Sequence, residues 1–340
     1  MLGEYLLFAA KAMTLVLAVL VTVVAVMTVA GRDRRMVERG HLEIVDWSAE
    51  VRAMGDALDS AMATPKQRRA LRRAARKRHR ALEKATESSA RRIFVMDFDG
   101  DLQASGVDAL RQEITAVLTR AGAGDEVVVR LESAGGLVHG YGLAASQLGR
   151  VTAAGVALTV CVDRVAASGG YLMACVADRI LAAPFAILGS IGVVAQIPNV
   201  HRLLKRHDID VELLTAGQYK RTLTVLGENT EEGRRKFQQD LETTHELFKR
   251  HVATRRTALD IDAVATGEIW LGTQALERNL IDGVQTSDEY LAASADAGAA
   301  IYQVTYRRTP SWRERLGLPS LRAAVARAWA GPSPLPRSPM

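Results

Sequence analysis

The sequence predicts an α/β fold built on a largely parallel sheet, on a chain that opens with a membrane span. Three observations predict it. From Ile93 to Arg256, short β-branched runs alternate with helical patterns, the order produced by parallel strands with right-handed crossovers. The run Val156–Val162 is apolar without a break, as in a strand covered on both faces. Ala12–Ala30, AMTLVLAVLVTVVAVMTVA, holds nineteen residues without a charge.

That first stretch, at about 1.5 Å per residue, crosses a hydrocarbon core of about 30 Å. A cleaved signal peptide is its rival, with Thr28-Val29-Ala30 as a cleavage site. Such peptides have apolar regions of about 7–15 residues and a basic start. Here the run is longer and Glu4 spoils the start, so an uncleaved anchor over residues 1–31 is expected. Arg32, Arg34, Arg35 and Arg39 follow the span and only Lys11 precedes it. The positive-inside rule by itself places the bulk of the chain in the cytoplasm.

Residues 32–90 read as a charged, partly helical connector. Residues 66–80 hold nine Lys/Arg and no acid. Without them the net charge of +6 becomes −3, so the basicity is one local patch. Its residues are expected to circle every face of a helix, as a solvated helix or arm or a contact for anionic headgroups. No aromatics interleave with it, so base stacking and nucleic-acid binding are not expected.

The body follows over residues 91–308. Strands are expected at Ile93–Phe98, Glu126–Leu131, Val156–Val162, Ile180–Ala183, Ile187–Ile197 and Val211–Thr215. Helices are expected at Ser105–Ala121, Tyr141–Val151, Ser168–Val176 and Glu231–Arg256. The tail 309–340 ends in GPSPLPRSPM and reads as disordered. With 48% hydrophobic residues the chain has ample material for a core. Two cysteines, Cys161 and Cys175, exclude a disulfide scaffold and a multi-cysteine metal module.

Three segments carry candidate chemistry. In AASGGYLMA, Ala166–Ala174, Ser168 stands between a buried strand and an apolar helix, with Gly169 and Gly170 next. Small neighbours let a substrate approach, and a helix start offers N–H groups to an oxyanion. The pattern approximates the G-x-S-x-G elbow, with Ala166 in the first glycine place. Taken alone, Ser168 is as readily a helix cap. In TAGQYKR, Thr215–Arg221, Lys220 follows an expected strand. A lysine serves as a general base only when neutral, which needs burial or nearby positive charge. Taken alone it is more ordinarily a surface lysine.

In LESAGGLVHGYG, Leu131–Gly142, the glycines follow a strand where successive N–H groups can form an anion nest. Gly140-Tyr141-Gly142-Leu143-Ala144-Ala145 also imitates a dinucleotide fingerprint, with Asp163 about twenty residues on. It fails because Glu132–His139 separates strand from glycine. None of the seven histidines stands in a triad motif. His245 and His251 lack the H-E-x-x-H spacing and read as a solvated helix face.

Taken in order, the membrane segment, S-A-G-G, A-S-G-G-Y, G-S-I-G-V, Y-K-R and W-L-G-T-Q-A-L-E-R-N-L-I-D resemble the signal peptide peptidase A family of serine peptidases, in its SohB-like membrane-anchored branch. The resemblance covers about residues 1–308 and implies a ClpP/crotonase-like superfold. It implies a Ser–Lys dyad, with Ser168 as nucleophile and Lys220 as general base. Gly135 and Gly169 would form the oxyanion hole, and Ser190 would orient Lys220. Trp270-Leu271-Gly272 and Ala275–Asp282 match a structural segment of this superfold. One departure is Ser133-Ala134-Gly135-Gly136, where the family often has N-S-P-G-G and Glu132 replaces the usual Asn.

The resemblance further implies a membrane-anchored endopeptidase acting on residual signal peptides or membrane-protein fragments, without cofactor or metal. Its partners would be the peptide substrate, the lipid bilayer and further copies of the chain in a homo-oligomer. It implies the bacterial inner membrane with the catalytic domain in the periplasm, against the arginine flank. The rival readings are a crotonase-type acyl-CoA enzyme and a catalytically silent scaffold on the same fold.

Overall fold

A computed structural model describes residues 13–14, 40–86 and 91–308. The expected anchor Ala12–Ala30, apart from two of its residues, the arginines after it and the expected disordered tail lie outside them. Among the described residues no helix is long and apolar enough to cross a membrane. The chain divides into two units. Leu42–Tyr306 is one; the flanking ends, Met1–His41 with Arg307–Met340, form the other.

The larger unit is organised by strands β1 Gly40–Asp46, β2 Arg92–Gly100, β3 Glu126–Ser133, β4 Ala157–Val162, β5 Val165–Ala167, β6 Arg179–Ala182, β7 Ile187–Gly189, β8 Ile269–Leu271, β9 Gly283–Val284 and β10 Ala300–Arg308. The main sheet runs β1-β10-β2-β3-β4-β6-β9. Its pairs from β10 to β9 are parallel. A branch leaves β3 through β5 to β7, which pairs antiparallel with β8. This is the α/β arrangement expected.

The helices are α1 Trp47–Met62, α2 Pro65–Thr86, α3 Val107–Leu118, α4 Val138–Ala153, α5 Gly169–Ala174, α6 His201–Arg206, α7 Glu231–Arg255, α8 Ile261–Val264, α9 Gly272–Glu277 and α10 Ser287–Asp296. Alternation along β3 sends Val127, Val129 and Leu131 to the larger core, shared with Leu110 and Ile114 of α3 and Leu148 of α4. Val128 goes to the opposite face, under Tyr290 and Leu291 of α10. Burying each such side chain contributes about 1.5–3 kcal/mol, so the two-sided β3 and β4 are what hold the site rigid. The connector is not wholly separate. Trp47 packs on the second core, and the Ile301 N–H donates to Ser48 Oγ at 3.1 Å.

Two expectations change. Ile187–Ile197 pairs only over Ile187–Gly189, because Gly189 and Ser190 take positive φ, 92° and 50°, and turn the chain out of the sheet. Val211–Thr215 is not a strand and is exposed throughout, and among the described residues it pairs with no strand of the sheet. By helical spacing the basic residues of α2 crowd one side without being confined to it: Lys66, Arg69, Arg73, Arg76 and Lys77 share that side, while Arg68 and Arg78 fall on the side of the partly buried Leu71 and Ala75.

Candidate active site

Ser168 sits where β5 ends and α5 begins. Its φ and ψ are 51° and −117°, a left-handed conformation that costs a non-glycine residue about 1–3 kcal/mol. The hydroxyl caps nothing: it accepts no hydrogen bond from the helix start. The turn is held open from behind, as the Ser168 N–H donates to the Gly189 carbonyl at 2.8 Å and Ala167 pairs with Gly189. The serine is therefore a strained, half-buried elbow rather than a cap.

The glycines around it are there for space. A Cβ on Gly169 would lie 2.5 Å from Tyr141 Cγ, and one on Gly170 would lie 2.6 Å from the Ser133 carbonyl oxygen. Gly135 has φ +92°, and a Cβ there would stand 2.8 Å from both the Gly169 nitrogen and Ser168 Cβ. The glycine loop after β3 and the start of α5 are thus in direct contact, with Gly135, Ser168 and Gly169 together.

A directed chain of hydrogen bonds fixes that loop. The Gly135 N–H donates to Ser133 Oγ at 3.0 Å, Ser133 Oγ meets Tyr141 Oη at 2.5 Å, and Tyr141 Oη donates to the Asp101 carbonyl at 2.8 Å. An amide at one end and a carbonyl at the other leave one direction for every proton. The Gly135 N–H is engaged by Ser133 in this arrangement. To reach an oxyanion it must turn from Ser133 or share its proton, whereas Gly169, in the first turn of α5, has no intrahelical acceptor. Tyr141 escaped sequence reading because its segment imitated a nucleotide loop. The would-be ribose-binding Asp163 accepts instead from the Ser287 N–H and hydroxyl at the start of α10.

Ser168 opens into a cavity of about 310 Å³. Val138, Tyr141 and Leu172 form one side, Val193 and Val194 another, and Leu247, Phe248 and His251 of α7 the third. Its surface is mainly apolar. This corrects the expectation that His245 and His251 face solvent. His251 Nε2 lies 3.3 Å from the Leu172 carbonyl, and burial holds its pKa below the usual histidine value. His245 Nε2 lies 3.1 Å from the Ile191 carbonyl, so α7 grips the loop that carries the Val193 wall. Phe248 and Val252 at i, i+4 were the available signal, masked by the polar residues between them.

Ser190 adjoins the elbow, one residue beyond the Ala167–Gly189 pair. Its N–H donates to the Glu268 carbonyl at 2.6 Å, and the Trp270 ring fills the space a Cβ on Gly189 would need. Lys220 is placed apart. It is exposed, in a turn closed by its N–H to the Gly217 carbonyl at 3.1 Å. The neighbouring Tyr219 ring lies 5.7 Å from Lys236 Nζ. The cavity begins at Thr244 of the same helix, eight residues further, roughly 12 Å along the axis. Ser168, Gly135, Gly169 and Ser190 come together in one chain, and Lys220 is not among the residues that line the cavity.

Models of peptidase family S49 match this chain, the family's N-terminal region over residues 1–148 and the peptidase region over 150–301. The chain is similar to a probable protease SohB of Haemophilus influenzae, 56% identical over 233 residues, which is 68% of this chain and 66% of that protein. It is also similar to a probable protease SohB of Buchnera aphidicola, 58% identical over 199 residues, 58% of this chain and 65% of the relative. The aligned segments thus fall just short of two thirds of those relatives' lengths. A solved mutant of the 1510-N membrane-bound stomatin-specific protease, in complex with a substrate peptide, has a TM-score of 0.40 and 14% identity, covering 68% of this chain and 97% of its own. With consecutive S49 models spanning nearly everything from residue 1 to residue 301 and relatives above half identity, the chain belongs to peptidase family S49.

Proposed function

We propose that this chain is a membrane-anchored serine endopeptidase that cleaves extended apolar segments such as residual signal peptides or membrane-protein fragments. The observation that carries the reading is the strained Ser168 elbow, uncapped and opening into an apolar cavity beside the Gly135 loop. The relatives' names, probable protease SohB, agree with it. A cavity of this size and lining takes one apolar side chain of a substrate.

In this reading a neutral Lys220 takes the proton of Ser168 Oγ, and the oxygen attacks the scissile carbonyl carbon. The Gly169 N–H receives the oxyanion, joined by the Gly135 N–H as it leaves Ser133 Oγ. The C–N bond breaks, the protonated lysine gives its proton to the departing amine, and water then hydrolyses the acyl ester. Ser190 orients the lysine. Because Lys220 is exposed and does not line the Ser168 cavity, a second copy supplies it. The exposed apolar segment before it, including Leu213 and Leu214, supports such an assembly. The catalytic domain lies on the periplasmic side of the inner membrane.

The test is labelling with a fluorophosphonate probe, together with hydrolysis of a peptide carrying an apolar residue at the cleavage point. Wild type is expected to label at Ser168 and cleave. Ser168→Ala is expected to do neither, with an unchanged circular dichroism spectrum. Label on a different serine, or cleavage by Ser168→Ala, overturns the assignment.

A further inference from the structure

Helix α2 carries a surface that the peptidase reading does not use. Lys66, Arg69, Arg73 and Arg76 follow one another at spacings of three and four, Lys77 lies four residues beyond Arg73, and the five share one side of the helix. All are exposed, and none of the five forms an ion pair among the described residues. The opposite side behaves differently: Arg68 falls there, and its Nε donates to the Ala63 carbonyl at 3.0 Å. Leu71 and Ala75, one turn apart, are partly buried, and α2 packs against α1. Packing therefore holds the helix in one rotation about its axis, with the basic stripe outward. Like charges at i, i+4 repel and destabilise an isolated helix. A stripe of unpartnered like charge is a cost that folding alone does not explain.

We propose that this stripe lies on an anionic phospholipid surface. Three observations favour lipid. The stripe carries five positive charges and no acid stands anywhere in residues 66–80, so it is complementary to acidic headgroups. It is linear and lacks aromatic residues between the charges, so it offers phosphate contacts and no stacking platform for a nucleic acid. It follows the nineteen-residue apolar run by 35 residues, and that run carries its own claim on a bilayer. Contact along the stripe fixes the direction in which α1 and α2 leave the membrane surface. Trp47 at the start of α1 is packed in the second core, so the peptidase unit is set at a defined orientation above the lipid. The inference is independent of the serine chemistry.

The full-length chain provides the test, solubilised in a neutral maltoside detergent. Both natural cysteines are buried, and burial pushes their thiols up to about 12, so a single reporter can be placed at Ala70→Cys, exposed at the rim of the stripe. An environment-sensitive dye there is expected to shift to the blue when phosphatidylglycerol is added and to stay unchanged with phosphatidylcholine. High salt reverses a contact of this kind. Replacing the five basic residues by Gln, which keeps helix propensity, is expected to raise the phosphatidylglycerol needed by more than tenfold, at roughly fivefold per charge nearest the surface. Equal response to both lipids, or no response to either, overturns the proposal. So does a response to RNA without one to phosphatidylglycerol, which assigns the stripe to nucleic acid. The lipid comparison on the Ala70→Cys protein alone decides, even if the five-residue variant folds poorly.

Discussion

At the scale of single residues, the site depends on atoms that have no room to move. Gly135 is the clearest case, because a methyl group there meets Ser168 and Gly169 at 2.8 Å from a backbone already at φ +92°. Gly135→Ala is expected to lower kcat by about 100-fold or more, the cost of losing an oxyanion donor, with a smaller change in KM. Single-turnover hydrolysis measures it. Lys220→Arg is expected to be inactive at every pH, since guanidinium does not deprotonate in proteins. Activity above the Ser168→Ala background in that variant moves the base role to another group.

At the scale of elements, α7 and β10 each carry a polar contact that ties them to a neighbouring element. His245 of α7 holds the Ile191 carbonyl, and the same loop brings Val193 and Val194 to the cavity. His245→Ala frees that wall, so KM for an apolar peptide is expected to rise about tenfold, from the loss of one hydrogen bond of about 1.5 kcal/mol, with kcat changed less. His245→Gln, which retains a donor, restores part of the loss. Glu113 of α3 accepts the Tyr306 N–H of β10 at 2.7 Å. Burial, with Asp97 adding repulsion, pushes its pKa up to about 7. The folded state thus keeps a proton that the unfolded chain releases near the ordinary glutamate value. Stability falls as pH rises from about 4.5 to about 7 and is then level. Glu113→Gln is expected to flatten that fall and to stabilise the protein at pH 8 by about 2 kcal/mol, read from urea unfolding at both ends of the window.

At the scale of the whole molecule, Ser168 opens into the cavity and Lys220 does not line it. Mixing Ser168→Ala with Lys220→Ala protein, each inactive, is expected to restore about a quarter of wild-type activity at equal amounts, by random pairing of neighbours. The mixture must be co-assembled and its oligomers confirmed by light scattering. Oligomers that form and stay inactive place the dyad within one chain, which then requires residues 208–230 to fold back over the elbow.

The sequence alone determined the elements and the serine. Parallel strands buried on both faces leave continuous apolar runs, as in Val156–Val162, and a tight strand-to-helix elbow leaves small residues in a row, as in Ala166–Gly170. These are local signals, because steric demands on adjacent residues are written in adjacent letters. The tertiary structure decided what sequence distance hides. Only the fold runs Gly135 through Ser133 and Tyr141 to Asp101, sets α7 over the cavity and turns Ser190 out of the sheet at Gly189. The same holds for Lys220 and the exposed Val211–Thr215. The segment before Lys220 has the letters of a strand, but a strand needs an edge to pair with, and among the described residues it pairs with none. Pairing and burial are properties of two surfaces brought together, and a single segment carries only its own half of that information.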